Sequence, residues 1–335
     1  MIYVVCPAAL ATGGTELCHQ FVRALINAGA SAKVLYVGRK SPPVAARFQK
    51  YAVPYIVDAS IVEASDVVVL PETFTRMVFE FPKSKRFIWW MSVDNYFSSL
   101  SHRRWSKRLI RRIKQAVGLR KLFDFSDRSI GHLCQSRYAA EFVKKQGISD
   151  FLFLSDCLSE DFLTSYTELP RDDRVLYNPN KGFRFTKKII DANPDIDFVA
   201  IEGMTPTQIK SLMLTSKLYI DFGDHPGKDR LPREAAICGC CIITGRDGSA
   251  AYYEDVPIPD KYKIDRADES LSHIADTIRR TLANYNHCID DFRHYVQTIH
   301  QEPVVFAKQV MDFICTVDST RARHCENVRS REFQD

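Results

Sequence analysis

The chain has 335 residues, with 46 Lys plus Arg against 41 Asp plus Glu and a formal net charge of +5. That length exceeds one ordinary core and suits two domains of about 150 residues each. Charged residues at 26% and aromatics at 11% exclude a globally disordered chain, and so small a positive excess does not by itself mark a nucleic-acid binder. Ten cysteines are too sparse for a disulfide scaffold. Cys6, Cys18, Cys134 and Cys238 sit in apolar surroundings, which suits a reducing cytoplasm.

Met1–Pro7 reads as a first strand rather than a signal peptide. Apolar runs such as Val67–Leu70 fall far short of the roughly 18 residues of a membrane span. Strand patterns cover Ile2–Cys6, Ala32–Val37, Val67–Leu70, Phe87–Met91, His132–Gln135 and Phe151–Leu154, and they alternate with helical ones. Leu17, Phe21 and Leu25 recur every four residues, so Glu16–Ala28 is an amphipathic helix. A polar stretch from Thr164 to Asp173 is a linker. Strands then resume at Arg174–Tyr177, Phe198–Ile201, Leu218–Phe222 and Cys241–Thr244. Thr205, Pro206 and Gln208 form a helix start with a capping box. From about Glu269 to Val317 the pattern is helical, and the Arg-rich tail from Asp318 reads as disordered.

The expected fold class is therefore α/β, with two tandem Rossmann-like domains, 1–165 and 172–285, then helices over 286–317 and a tail over 318–335.

Three segments fall at strand ends, where open parallel sheets collect ligands. Gly13 and Gly14 open the first helix, where backbone amides can approach an anion; the spacing is not a dinucleotide fingerprint. Asn178-Pro179-Asn180-Lys181-Gly182 follows the first strand of the second domain and puts a lysine beside a glycine. The densest segment runs from Asp221 to Ala236. There His225, Lys228, Arg230 and Arg233 crowd one loop facing a helix N-terminus, an arrangement that a diphosphate would explain. Glu234 on the first helical turn can accept ribose or sugar hydroxyls, and Gly248 and Ser249 add a further amide-rich turn. Two other patterns read as structural. Asp195-Ile196-Asp197 precedes a strand rather than following one, and Cys238-Gly239-Cys240-Cys241 lacks a second metal-binding pair, so no metal site is assigned.

Gly13-Gly14-Thr15-Glu16, Asn180-Lys181-Gly182 and Leu231-Pro232-Arg233-Glu234-Ala235, followed by Gly239 and Ile242-Ile243, resemble the nucleotide-sugar glycosyltransferases of GT-B fold. With Trp89–Tyr96 and Leu154-Ser155-Asp156, the whole stretch looks more like the glycosyltransferases encoded in bacterial capsule and O-antigen loci. The resemblance implies two Rossmann-like domains facing a cleft, the donor on the second and the acceptor on the first. It implies that Lys181 and Arg230 bind the donor diphosphate, that Glu234 holds the ribose, and that Gly13 and Gly14 line the phosphate side. Pro226 stands where the family carries its first glutamate, which leaves inverting and retaining chemistry both open. Asp94, after the fourth strand, is the first choice of general base, with Glu16 and His225 in reserve and Asn95 positioning a sugar. No cofactor is expected beyond the nucleotide-sugar co-substrate.

One further segment stands out. Between Arg103 and Lys121, nine positive charges fall in nineteen residues with no acid among them. Trp105, Leu109, Ile113 and Val117 recur every four residues, giving a cationic amphipathic helix. Arg104, Lys107, Arg108, Arg111 and Arg112 could dock it on anionic lipid. The expected function is transfer of a sugar onto a lipid-linked surface glycan by a cytoplasmic enzyme that is peripheral on the membrane, with no nucleic-acid partner. A nucleotide-sugar epimerase and a catalytically silent scaffold on the same fold are the alternatives.

Overall fold

The computed structural model describes residues 1–38, 41–101, 123–164, 169–266 and 270–318. The chain divides into two compact units. The first comprises Met1–Gln135, Ala139–Asp156 and the chain from Val304 onward; the second comprises Ser136–Tyr138 and Cys157–Pro303.

The first unit is built on seven parallel strands in the order β3-β2-β1-β4-β5-β6-β7. They are β1 (Ile2–Pro7), β2 (Ala32–Val37), β3 (Tyr55–Ile56), β4 (Val67–Pro71), β5 (Lys85–Trp90), β6 (Ile130–Cys134) and β7 (Leu152–Phe153). The central strands are apolar on both faces: Val4, Val5, Val68, Val69, Ile88, Trp89 and Leu133 are all fully buried. That is the pattern of a parallel sheet covered on both sides. The strand expected over Phe87–Met91 starts two residues earlier and ends at Trp90. The two indoles are satisfied where they are buried, Trp89 donating to the Leu154 carbonyl and Trp90 to His132 Nδ1, each at 2.9 Å. The two-residue strand β3, on the sheet edge, has too little apolar pattern to be expected from sequence.

Helix α1 (Gly13–Asn27) begins three residues before the expected start at Glu16, because Thr12 and Thr15 form a reciprocal cap around the two glycines. Helix α2 (Val93–Ser101) follows β5, and α3 (Arg137–Lys145) follows β6.

The second unit has five parallel strands in the order β12-β11-β10-β8-β9. They are β8 (Asp172–Tyr177), β9 (Asp197–Ala200), β10 (Ser216–Asp221), β11 (Cys241–Gly245) and β12 (Lys263–Ile264). Helices α4 (Glu160–Leu163), α5 (Phe183–Ala192), α6 (Pro206–Leu214), α7 (Arg230–Ile237), α8 (Leu271–Ala283) and α9 (Tyr285–Cys288) accompany them. The capping box expected at Thr205 and Gln208 is present with Pro206 in the first turn. Cys238, Cys240 and Cys241 are buried between α7 and β11. Burial pushes the thiols of Cys238 and Cys240 up to about 12 and that of Cys241 higher still, which suits inert packing.

The last helix, α10 (Arg293–Val317), contains Pro303 and contributes to both units. Tyr295 and Ile299 join the core of the second. In the first, Phe313 packs edge-on against Phe21 and Phe87, and Lys85 Nζ donates to the Thr316 carbonyl at 2.7 Å. Among the described residues, no helix is long and apolar enough to cross a membrane.

Candidate functional site

In each sheet one pair of neighbouring strands marks the point where the connections run outward in opposite directions: β1 and β4 in the first unit, β8 and β10 in the second. Loops leaving the C-terminal ends of such a pair diverge and leave a crevice for ligands. In the second unit these loops are Asn178–Gly182 and Phe222–Asp229, the two segments singled out by their composition. Ile220 is level with Tyr177 across the strand pair, so both loops leave the sheet at the same height.

Gly182 sits at φ +62, and a Cβ there would collide with the Phe222 carbonyl. Gly248, at φ +52, would collide likewise with the His225 carbonyl. The β10–α7 loop is thus held between two glycine turns at distances that only glycine permits. Ser249 completes the clamp: its N–H donates to the His225 carbonyl at 2.9 Å and its hydroxyl to the Gly227 carbonyl at 2.7 Å. Asn178 forms a side-chain turn, its Oδ1 accepting the Asn180 N–H at 3.0 Å.

The charged side chains pair closely. Lys181 Nζ lies 2.5 Å from Asp229 Oδ1. His225, fully buried, has Nδ1 at 3.1 Å from Asp229 Oδ2 and Nε2 at 3.6 Å from Asp221 Oδ1. Burial opposes a charge on His225, but the Asp221 and Asp229 carboxylates outweigh it and raise its pKa above the ordinary value. Asp229 is also buried, which by itself favours the neutral acid; His225 and Lys181 overcome this and lower it to about 2. Asp221, His225 and Asp229 bring their polar atoms within 4.8 Å of one another, and Lys181 and the imidazole supply the positive charge that this group of carboxylates calls for.

Arg230 opens α7, with Nε 3.6 Å from Glu234 Oε1. Two of the cations expected at the donor have a carboxylate partner on α10. Lys228 Nζ is 2.7 Å from Glu302 Oε1, and the fully buried Arg233 has Nη1 2.8 Å from Glu302 Oε2. Arg233 also donates to the Asp229 and Lys228 carbonyls at 3.1 Å. Sequence reasoning missed Glu302, which is 69 residues from Arg233 and carries no local signal. It also missed Arg266, which donates to the Phe222 carbonyl at 2.9 Å and pairs with Asp247 at 2.8 Å.

In the first unit, Gly13 and Gly14 stand at the head of α1, beside the diverging strands. Glu16 is fully buried and accepts from the Tyr51 hydroxyl at 2.7 Å and from Arg47 at 3.2 Å, with Lys50 at 3.8 Å. Those partners come from a single 3₁₀ segment, Ala46–Tyr51, so Glu16 ties that segment to α1. Asp94 and Asn95 lie in the first turn of α2; Asp94 is half-buried and Asn95 exposed. Ser92, not Asp94, caps this helix, its Oγ accepting the Asn95 N–H at 3.3 Å.

Across from α1, at the end of β4, stands a carboxyl that the sequence did not flag. Glu72 is buried and accepts the Met91 N–H at 3.2 Å. Burial raises its pKa to about 8 against the pull of three backbone N–H groups. Its signal was its position, immediately after an apolar strand. Arg104, Lys107, Arg108, Arg111 and Arg112 lie outside the described residues.

The fold is that of the GT-B glycosyltransferases, as the residue-level resemblance implied. The chain is similar to HepE of Anabaena, solved in complex with UDP-glucose, at 12% identity over 94% of this chain and 99% of that one, with a TM-score of 0.63. It is similar to sucrose-phosphate synthase from Thermosynechococcus elongatus at 11% identity, 94% and 98% coverage and a TM-score of 0.61. WaaG, a glycosyltransferase involved in lipopolysaccharide biosynthesis, aligns at 12% identity over 92% and 99% with a TM-score of 0.55. No protein-family model and no curated protein sequence matches the chain.

Proposed function

We propose that the protein is a glycosyltransferase that moves a sugar from a nucleotide-activated donor onto a saccharide acceptor. The observation that carries this reading is the second unit's switch point, where Lys181, Arg230 and glycine-tightened turns meet at the head of α7. Breaking the glycosidic bond of a donor leaves negative charge on its diphosphate. Lys181, Arg230 and the amides of the α7 N-terminus would stabilise that charge electrostatically, so the reaction is proposed to need no metal. Glu234, four residues after Arg230, is suited to ribose hydroxyls. Lys228 and Arg233 support the site indirectly, by anchoring α7 to Glu302. The binding of UDP-glucose by HepE and the role of WaaG in lipopolysaccharide biosynthesis agree with this reading.

The first unit is proposed as the acceptor side, with Asp94 as general base if the reaction inverts configuration. Asn95 would orient the acceptor. Glu16 and His225 are less suited to proton transfer, because each is fully buried among charged partners. A lipid-linked surface glycan as acceptor, with the basic Arg103–Lys121 segment on anionic lipid, is part of the same proposal. The test is release of nucleoside diphosphate from UDP-, GDP- and dTDP-sugars with and without saccharide acceptors. Turnover of a donor supports transfer. A protein that binds donors but neither hydrolyses nor transfers them is a scaffold, and one that interconverts donor sugars without releasing nucleotide is an epimerase.

A further inference from the structure

Lys181, half-buried, is the outer end of a chain of alternating charges. From its ammonium the chain runs through Asp229 at 2.5 Å, His225 at 3.1 Å and Asp221 at 3.6 Å. Asp221 is itself fixed by the Tyr219 hydroxyl at 2.8 Å and the Gly223 N–H at 2.9 Å. The arrangement joins two separate loops, and its centre is rigid. His225 is fully buried at φ +42, an uncommon conformation for a side-chain-bearing residue that persists only where the surroundings impose it. Gly182 and Gly248 impose it from either side.

We infer that Asp229, fixed by His225, is a positioning residue: it holds the Lys181 ammonium as a counter-ion until a donor diphosphate takes its place, and the exchange draws a proton onto His225. The inference rests on the donor reading above and deepens it. When Lys181 turns to the diphosphate, the Asp229 carboxylate loses one of its two cations. His225 is then its main partner and binds its proton more tightly, so a proton enters from solvent. The charged groups facing His225 are Asp221 and Asp229 on its own loop and helix head, and Lys181 acts through Asp229. Arg266, bonded to Phe222 and Asp247, is the nearby cation on the β12 side. The Asp221 and Asp229 carboxylates raise the His225 pKa above its ordinary value against its burial, so the exchange is read on the alkaline side of the ordinary imidazole range.

Calorimetric titration with inorganic diphosphate, in two buffers of different ionisation enthalpy, tests the inference. It is run on wild type, His225→Asn and Asp229→Asn; asparagine tolerates positive φ and carries no charge. The ligand's own protons cancel when variants are compared at one pH. Wild type should take up a few tenths of a proton more than either variant, and its affinity should fall about 5- to 10-fold as pH rises from near neutral to about 9, relative to His225→Asn. A purely structural role for His225 would weaken binding equally at every pH and leave proton uptake unchanged. Equal uptake in wild type and both variants overturns the inference and leaves the donor reading standing. Failure of wild type to bind diphosphate at all overturns the donor reading, and the inference with it.

Discussion

Arg233 and Glu302 form a buried ion pair at 2.8 Å, with both side chains withdrawn from solvent. Lys228 shares the same carboxylate at 2.7 Å. One glutamate from the last helix is therefore shared by two cations at the head of α7, on the helix whose first residue is proposed to meet the donor. Removing the carboxylate strands a buried guanidinium. Glu302→Ala should cost about 3–5 kcal/mol of stability, measured by denaturant unfolding. The triple change Lys228→Met, Arg233→Met and Glu302→Leu should recover most of that loss, since all three charges leave together. If Glu302→Ala unfolds at the wild-type midpoint, the pair does not hold α7.

Arg230 is placed differently, at the first position of α7, with Nε 3.6 Å from Glu234 Oε1. Arg230→Ala should weaken donor binding by about 1.5–3 kcal/mol, the worth of a charge-assisted phosphate contact. Unchanged donor affinity would remove Arg230 from the site.

For Asp94 the readout is turnover rather than binding. Asp94→Asn keeps the shape and the α2 helix start, which Ser92 caps, while removing the base. Turnover should collapse and donor affinity stay near that of wild type. Equal turnover in the variant would sink the general-base assignment, and loss of donor binding would move Asp94 into the donor site.

Glu72 offers a pH test of stability. Its pKa rises from 4.5 to about 8 on burial in the fold. Between those values the unfolded chain ionises this group while the folded one keeps the proton. Its contribution is thus fully present below the unfolded value and is lost as pH rises through about 8. Glu72→Gln cannot ionise, so its Tm relative to wild type should climb between about pH 4 and about pH 9. A constant difference across that range would show that Glu72 is ionised in the native protein.

The two-sheet plan was readable because parallel strands buried on both faces are nearly continuous apolar runs, as Val67–Leu70 and Cys241–Thr244 are. The edge strands Tyr55–Ile56 and Lys263–Ile264 were not, since Pro54 and Asp265 interrupt any apolar run there, whereas the equally short Leu152–Phe153 lies within the apolar run Phe151–Leu154. At the second switch point, glycines next to charge marked the segments that carry Gly182 and Gly248, and both meet the β10–α7 loop. What local sequence could not convey was which cations are already matched. Arg233 looks like a phosphate ligand until Glu302, 69 residues away, is brought against it. Glu16 reads in sequence as a reserve general base, and in space Arg47 and Tyr51 close over it. In both cases the deciding partner arrives through tertiary packing, and an unpaired appearance in sequence says nothing about pairing in space.

The central claim is that the second unit binds a nucleoside-diphosphate sugar through its switch-point loops. The most direct measurement is a thermal-shift titration of the intact protein with UDP, GDP, CMP, ADP and dTDP, repeated on Arg230→Ala and with added magnesium. A ligand at 100 times its Kd should add about 2.7 kcal/mol of stability. The expected result is a clear rise in Tm with one nucleotide, independent of magnesium and lost in Arg230→Ala. No shift with any of the five would contradict the claim and leave the Lys181–Asp229–His225 cluster as a structural ion network.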